Sequence, residues 1–192
     1  VLEYGCGSGR IALPIARRGM ALTGVDLSAP MIEAFRQRLA EEPVEVRRRV
    51  KLKQGDMREV RLRTRFPLVL CTFNTFLHLY TREDVERFLA GVVRHLAPGG
   101  RFVFDTSVPV PEDLTRDPGR AYRGQQVKEP ATGAVYRYQE RFDYDPMRQI
   151  LFVMMEFEPK TPGKGRPFVT PLTHRQFFPL ELEALLHYNG LE

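Results

Sequence analysis

The apolar positions of this chain follow two periods, and in its first half they alternate in order. Val1-Leu2-Glu3-Tyr4 reads as a strand running into a glycine-rich loop. Arg10 to Arg18 reads as a helix, with Ile11 and Ile15 one turn apart, Pro14 near its start and Gly19 at its end. Ala21 to Val25 is a second strand. Ser28 stands where an N-cap belongs, ahead of a helix that carries Ile32, Phe35 and Leu39 on one face. Val50 to Gln54 and Leu68 to Thr72 are the third and fourth strands. Thr81 with Asp84 makes a capping-box pattern for the clearest helix, along which Val85, Phe88, Leu89, Val92, Val93 and Leu96 keep helical spacing until Ala97-Pro98-Gly99-Gly100 stops it. Arg101 to Asp105 is the fifth strand. Strand–helix alternation of this kind implies crossover units and a parallel sheet.

After Asp105 the pattern changes. Ser107 to Gly133 is rich in Pro, Gly and charge and reads as a long loop or lid. Val135 to Tyr144 and Gln149 to Phe157 flank Asp145-Pro146-Met147-Arg148, a hairpin with its turn. Pro159 to Pro167 is a second loop, Phe168 to Phe178 is extended, and Pro179 opens a last helix that Gly190 ends. The expected organisation is an α/β domain over 1–106, an inserted loop and β-hairpin lobe over 107–178 that covers a site or builds a homodimer surface, and a return helix over 179–192.

With 192 residues, 43% hydrophobic and 28% charged, the chain has the size and balance of one domain, or one domain plus a lobe. That excludes a disordered tail, a collagen-like rod and a small disulfide scaffold. No apolar run approaches the ~18 residues of a spanning helix, and no secretory leader opens the chain, so no membrane association is expected. Cys6 and Cys71 are too few for a disulfide framework and lack metal-ligand spacing, which points to a reducing cytoplasm and no metal. The net charge is +5, and 24 of the 29 basic residues are arginine. The densest stretch, Arg47 to Arg65, has no aromatic residue among its charges, as a stacking surface for single strands requires. A solvated surface is the usual fate of such runs, and a nucleic-acid partner is not expected.

The chemistry concentrates in the loop Glu3-Tyr4-Gly5-Cys6-Gly7-Ser8-Gly9, between the first strand and the first helix. Glycines there allow a sharp turn and close approach of a ligand to the backbone. The dinucleotide fingerprint places a glycine or alanine three positions after the second glycine. Arg10 stands there instead, and the third glycine comes one position early. Asp26 ends strand two and Asp56 ends strand three. Ligands of open parallel sheets lie beyond the carboxyl ends of the strands, where a carboxylate can accept both hydroxyls of a ribose. These features point to an adenosine-containing ligand without a pyrophosphate. A turn cap is the competing reading of Asp56, and a small buried filler describes Cys6.

The segments VLEYGCGSGR, GVDLS, QGDM and HLAPGGRFVFD resemble, in that order, the class I methyltransferases that use S-adenosylmethionine. The resemblance runs from Val1 to Asp105, about half the chain. It implies a Rossmann-like doubly wound, mostly parallel sheet, here with an inserted antiparallel β lobe. It also implies that Glu3, Tyr4, Gly5, Gly7, Gly9 and Arg10 cradle the methionine part of the cofactor. Asp26 would hold the ribose hydroxyls, Leu27 and Met57 would pack near the adenine, and Asp56 would receive its amino group. The backbone of Cys71 and Thr72 would lie under the sulfonium. The family often has an acidic residue before strand four, where this chain has Pro67. His78 resembles the histidine at this point in bacterial amino-sugar N-methyltransferases, which implies a catalytic or substrate-orienting role; packing within Leu77-His78-Leu79 is the competing reading. Asn74 either orients substrate or caps the next helix, and Arg175 is a further candidate for substrate. The Asn/Asp-Pro-Pro-Tyr/Phe motif of nucleic-acid amino methyltransferases is absent after strand four, where Cys71-Thr72-Phe73-Asn74 stands. The expected activity is methyl transfer to a small molecule, an amine nitrogen by preference. Methylation of RNA or protein, and cofactor binding without transfer, are the alternatives. Against this fold the chain also looks incomplete, lacking a helix before strand one and the two strands that close the sheet.

Overall fold

A computed structural model of the chain describes residues 1–161 and 163–191, with residue 123 by its backbone alone. The elements run β1 (Leu2–Tyr4), α1 (Ala12–Arg17), β2 (Leu22–Asp26), α2 (Ala29–Ala40), α3 (Val44–Arg47), β3 (Val50–Gln54), β4 (Phe66–Cys71), a 3-10 turn (Thr75–His78), α4 (Arg82–His95), β5 (Leu96–Phe104), α5 (Pro111–Leu114), β6 (Tyr122–Lys128), β7 (Val135–Asp145), β8 (Ile150–Pro159), β9 (Phe168–Arg175) and α6 (Pro179–Tyr188). They fall into two compact units, Val1–Ser107 with Leu180–Glu192, and Val108–Pro179. Among the described residues, no helix is long and apolar enough to cross a membrane.

In the first unit, five parallel strands lie in the order β3-β2-β1-β4-β5. The chain winds outward from β1 through β2 to β3, then returns past β1 to β4. The direction therefore reverses between β1 and β4, and a crevice opens beyond the strand ends there. One layer of core joins Ala12, Leu13 and Ala16 of α1 to Leu22, Ile32, Phe35, Val46 and Val50. An aromatic cluster fills another: Phe88 of α4 meets Tyr4 edge-on at 5.2 Å, Phe76 at 5.9 Å and Phe102 at 6.0 Å. Truncating a buried ring such as Phe88 costs about 3–5 kcal/mol in comparable cores.

The caps read from the sequence form. The Ser28 hydroxyl accepts the Met31 N–H, and the Thr81–Asp84 capping box closes in both directions. Two expectations about α4 need correction. Val93 is 42% exposed, outside the apolar stripe. Leu96 is not helical: its backbone is extended and pairs with Phe66, so β5 starts five residues before the expected Arg101. The register then jumps to Leu68↔Arg101, and Ala97-Pro98-Gly99-Gly100 forms the irregularity between. Pro67 sits opposite this break, where a strand tolerates the missing N–H.

In the second unit, four antiparallel strands lie in the order β6-β7-β8-β9. β7 and β8 pair from Asp145↔Ile150 to Tyr136↔Pro159, around the turn expected at Asp145-Pro146-Met147-Arg148; the Asp145 carboxylate accepts the N–H groups of Met147 and Arg148 at 3.0 and 3.1 Å. Along β7, Tyr136, Tyr138, Glu140 and Phe142 are buried while Arg137 and Asp143 are exposed, the alternation of a half-buried strand. The stretch from Ser107 to Gly133, expected as loop, contains α5 and β6. Tyr122-Arg-Gly-Gln-Gln-Val-Lys has little strand pattern of its own and is held by its ladder to β7. The Arg116 guanidinium stacks on Tyr122 and Phe142 at 4.5 and 4.4 Å and pairs with Asp113 at 2.7 Å, which fixes the start of this segment.

His95, the last residue of α4, is fully buried. Its Nε2 accepts the Leu62 N–H at 3.0 Å, so the ring proton resides on Nδ1, 2.6 Å from the Tyr4 hydroxyl. Burial holds this imidazole below its ordinary value, and the charges of Arg94 and Lys53 act the same way against the Gly91 carbonyl. The unfolded chain therefore binds more protons than the fold once pH drops below about 6.5. The stability contributed by the neutral ring is complete above that pH and is lost as pH falls through the lower folded-state value. Urea unfolding from about pH 8 to about pH 5 should show the wild type losing stability relative to His95→Gln, which should be about 1–3 kcal/mol less stable than the wild type at the upper pH. Parallel pH profiles for the two proteins would exclude His95 as the group responsible.

Candidate cofactor site

The strand ends of the first unit surround a cleft of about 420 Å³ lined by Gly5, Val25, Asp26, Leu27, Gly55, Asp56, Met57, Arg58, Thr75, His78 and Tyr80. Its floor is the turn after β1. Gly5 has φ +67°, and a Cβ there would lie 2.5 Å from Thr75 Cγ2. Gly9 has φ +85°, and a Cβ there would meet the Phe35 ring at 2.5 Å. Gly9 is thus required by the seating of α2 against the turn. The Gly7 N–H donates to Asp26 Oδ2 at 2.7 Å, and the Ser28 N–H donates to Oδ1 at 2.8 Å. Each Asp26 oxygen keeps acceptor capacity, and the carboxylate is held at the mouth of the cleft by two backbone groups.

Glu3 is 1% exposed, and its Oε2 has no hydrogen-bond partner. Burial pushes its carboxyl up to about 7, opposed by a hydrogen bond with the Thr72 side chain and by the charge of Arg10, and aided by Asp26. A buried acceptor without a donor is costly in a fold, and its position beside the glycine turn suits a cationic or hydrogen-bond-donating ligand group. Asp56 receives the Arg58 N–H and Nε on Oδ1 at 2.9 and 3.0 Å, and Arg58 Nη2 on Oδ2 at 2.5 Å. It therefore makes the turn contact as well as lining the cleft.

Other expected residues lie differently. The Tyr4 side chain is buried against Phe88 and His95, so Tyr4 can reach a ligand only through its backbone. Arg10 stacks over the Phe73 ring at 4.1 Å. Cys71 is fully buried and burial pushes its thiol up; Cys6 is buried too, its thiol pushed up to about 12. Both cysteines are fillers. The Thr72 carbonyl accepts the Thr75 hydroxyl at 2.7 Å. Asn74 does not cap the 3-10 turn with its side chain; it is left-handed (φ 59°), and its Oδ1 accepts the Ser107 N–H at 2.7 Å. Asp105 Oδ1 in turn accepts the Phe73 N–H at 2.6 Å, which ties the turn after β4 to the end of β5. His78 is exposed in the cleft, Nδ1 3.2 Å from the Tyr80 hydroxyl, rather than packed inside its leucines. Arg175 belongs to the second unit, its guanidinium 4.5 Å from the centre of the Phe177 ring. Sequence reasoning missed Arg58, Thr75 and Tyr80. Arg58 carried one available signal, a cation two residues from a strand-ending acid.

Glu3→Gln tests the strain directly. The ordinary value of 4.5 rises to about 7 in the fold, so the wild-type group contributes fully below the lower pH and loses that contribution as pH climbs through the upper one. Chemical denaturation should find Glu3→Gln gaining on the wild type by up to about 3 kcal/mol between these limits. A stability difference independent of pH would show that Glu3 is not the strained group.

Residues 1–100 match the family described as "Methyltransferase domain". The cypemycin N-terminal methyltransferase of a Streptomyces species is 30% identical over 109 residues, 57% of this chain and 42% of that protein. The dTDP-3-amino-3,4,6-trideoxy-alpha-D-glucopyranose N,N-dimethyltransferase of Streptomyces venezuelae is 30% identical over 105 residues, 55% of this chain and 41% of that protein. The chain spans about two-fifths of the length of these curated relatives. Among solved structures, S-adenosylmethionine-bound CalS10, an amino pentose methyltransferase of Micromonospora echinaspora, superposes with a TM-score of 0.78 at 25% identity, covering 98% of this chain and 73% of that one. A sheet that reverses direction beside a glycine turn, an acid gripped at the end of its second strand, and a family match over more than half of the residues agree, and the chain belongs to the methyltransferase-domain family.

Proposed function

We propose that this protein is an S-adenosylmethionine-dependent methyltransferase acting on a small-molecule amine, with an amino sugar as the acceptor class. The observation that carries the reading is the pairing, across one turn, of an unpartnered buried Glu3 oxygen with an Asp26 carboxylate fixed by the Gly7 and Ser28 N–H groups. One end suits the ammonium of an amino-acid tail and the other suits a vicinal diol. A pyrophosphate would bring two further negative charges to a turn that already holds Glu3 and Asp26, and nothing in the cleft lining except Arg58 offsets them.

When bound, the cofactor supplies a methyl group already activated by a positively charged sulfur. The protein's share is then orientation and exclusion of water, which together account for about 7–11 kcal/mol in well-aligned reactions. Leu27 and Met57 supply apolar walls, and Asp56 an acceptor, on the adenine side. An amine must shed a proton to present its lone pair. His78 is the one imidazole in the cleft lining and is assigned to receive that proton, its Nδ1 beside Tyr80. The amino-sugar class is carried by the relatives, two of which are named for amino-sugar amines.

Turnover of S-adenosylmethionine should be measured on a panel of amino sugars, simple amines, a peptide with a free N-terminus, and RNA. Methyl transfer to an amino-sugar nitrogen is the expected result; cofactor binding with no product from any acceptor would leave a binding protein instead. His78→Ala should lower kcat by about 10²–10⁴-fold with cofactor Kd within about twofold of wild type. Asp26→Ala should weaken cofactor binding first, by about tenfold or more; unchanged Kd would refute the ribose assignment.

A further inference from the structure

Arg58 is joined to two acids on separate elements. Its Nη2 and Nε hold Asp56 at the end of β3, and its Nη1 holds Asp84 Oδ1 at 2.7 Å. Asp84 is the N3 residue of α4, fixed by its own N–H to the Thr81 hydroxyl at 3.1 Å and by its Oδ2 from the Thr81 N–H at 3.3 Å. The guanidinium is therefore anchored to a capped helix terminus, and Asp56 is held from one edge by a planar fork.

The lone-pair count on Asp56 then becomes informative. Oδ1 receives two donors, the Arg58 backbone N–H and Nε; Oδ2 receives Nη2, with Nε a longer second contact at 3.1 Å. Both oxygens are therefore held by the same fork, and each keeps acceptor capacity beyond it. The hydrogen bond from Arg58 also holds the acid below its ordinary value. Asp56 is thus an acceptor fixed in orientation beside Leu27 and Met57.

Resting on the reading of this cleft as the adenine side of an S-adenosylmethionine site, we infer that Arg58, anchored by Asp84, is a positioning residue that makes Asp56 select adenine over hypoxanthine. Adenine presents an amino group at position 6, which donates to the Asp56 carboxylate. Hypoxanthine presents an oxygen there, repelled by a carboxylate, with its nearest donor one ring position away at N1. A mobile carboxylate can swing to that N–H and bind either base. One clamped by Arg58 cannot. Selectivity between the bases therefore comes from the clamp, and Asp84, which is absent from the cleft lining, is part of the recognition.

The test is calorimetric binding of S-adenosylhomocysteine and its deaminated analogue S-inosylhomocysteine to the wild type, Asp84→Asn and Arg58→Lys, each first checked for a folded thermal transition. Asp84→Asn keeps an oxygen for the Thr81 N–H and loses only the charge that anchors Arg58. Arg58→Lys keeps the cation and loses the fork, and serves alone if the first variant does not fold. The wild type should prefer the adenine compound by about tenfold or more, and the variants should bring the two affinities to within about threefold, mainly by losing affinity for the adenine compound. Variants that discriminate like the wild type would overturn the role of Arg58. A wild type that binds both compounds equally would overturn selection by Asp56, and one that binds neither would instead overturn the cofactor reading beneath it.

Discussion

The cleft depends on one hydrogen bond, from the Gly7 N–H to Asp26 Oδ2 at 2.7 Å. It joins the turn after β1 to the end of β2, so the glycine turn and the strand-ending acid are set by the same contact. The turn in turn needs glycine at two places for different neighbours: Thr75 presses on Gly5 from the β4 side and Phe35 presses on Gly9 from α2. The turn is therefore closely packed on both sides, and open space remains at its tip, where a Cβ on Gly7 would meet nothing within 4 Å. A rigid floor with an open tip suits a ligand that must be held in one orientation.

The same region carries an unsatisfied buried carboxyl. Glu3 is buried without a donor on Oε2, next to a turn that already holds Asp26. A fold selected for stability alone would place an apolar residue or an amide there. Asp56 is treated in the opposite way: the Arg58 cation sits on its carboxylate, and a second acid, Asp84, holds Arg58 from behind. The contrast separates two uses of a carboxylate. Glu3 stores an unsatisfied demand that a ligand group can meet, whereas Asp56 is satisfied on one edge and so presents the other in a fixed direction.

Much of this was legible in the sequence because it is local. The glycine spacing, Asp26, the caps at Ser28 and Thr81 and the β7–β8 turn all follow from residues within a few positions of one another. The departures have a different origin. Tyr4 adjoins Glu3, yet its ring belongs to the Phe88–His95 cluster, 91 residues from the partner of its hydroxyl. Leu96 continues the apolar spacing of α4 and is taken from it by pairing with Phe66. β6 is a strand only because β7 offers it a ladder. Arg58 gains its meaning from Asp84, 26 residues away, where the capping box alone accounts for the acid in the sequence. In each case a long-range contact overrides or completes a local preference, which no pattern within one window can disclose.

α4 is the element through which these long-range contacts pass. Its first turn anchors Arg58 through Asp84, and its last residue, His95, holds the Leu62 N–H beyond the same loop. The segment from Asp56 to Leu62 therefore has both of its ends fixed to one helix, fourteen residues long and packed on the sheet through Val85, Phe88, Leu89 and Val92. A loop tied at two points to a rigid helix loses most of its freedom before any ligand arrives, so ordering it on binding costs little. The Asp56 side of the cleft is preorganised by this arrangement. The β4 side, where Phe73 and Asn74 adopt left-handed backbone and are held by Asp105, is preorganised by strain balanced against hydrogen bonds. The cleft is thus bordered by two segments stiffened by different means, and a site fixed before its ligand arrives is what an aligned displacement requires of a protein.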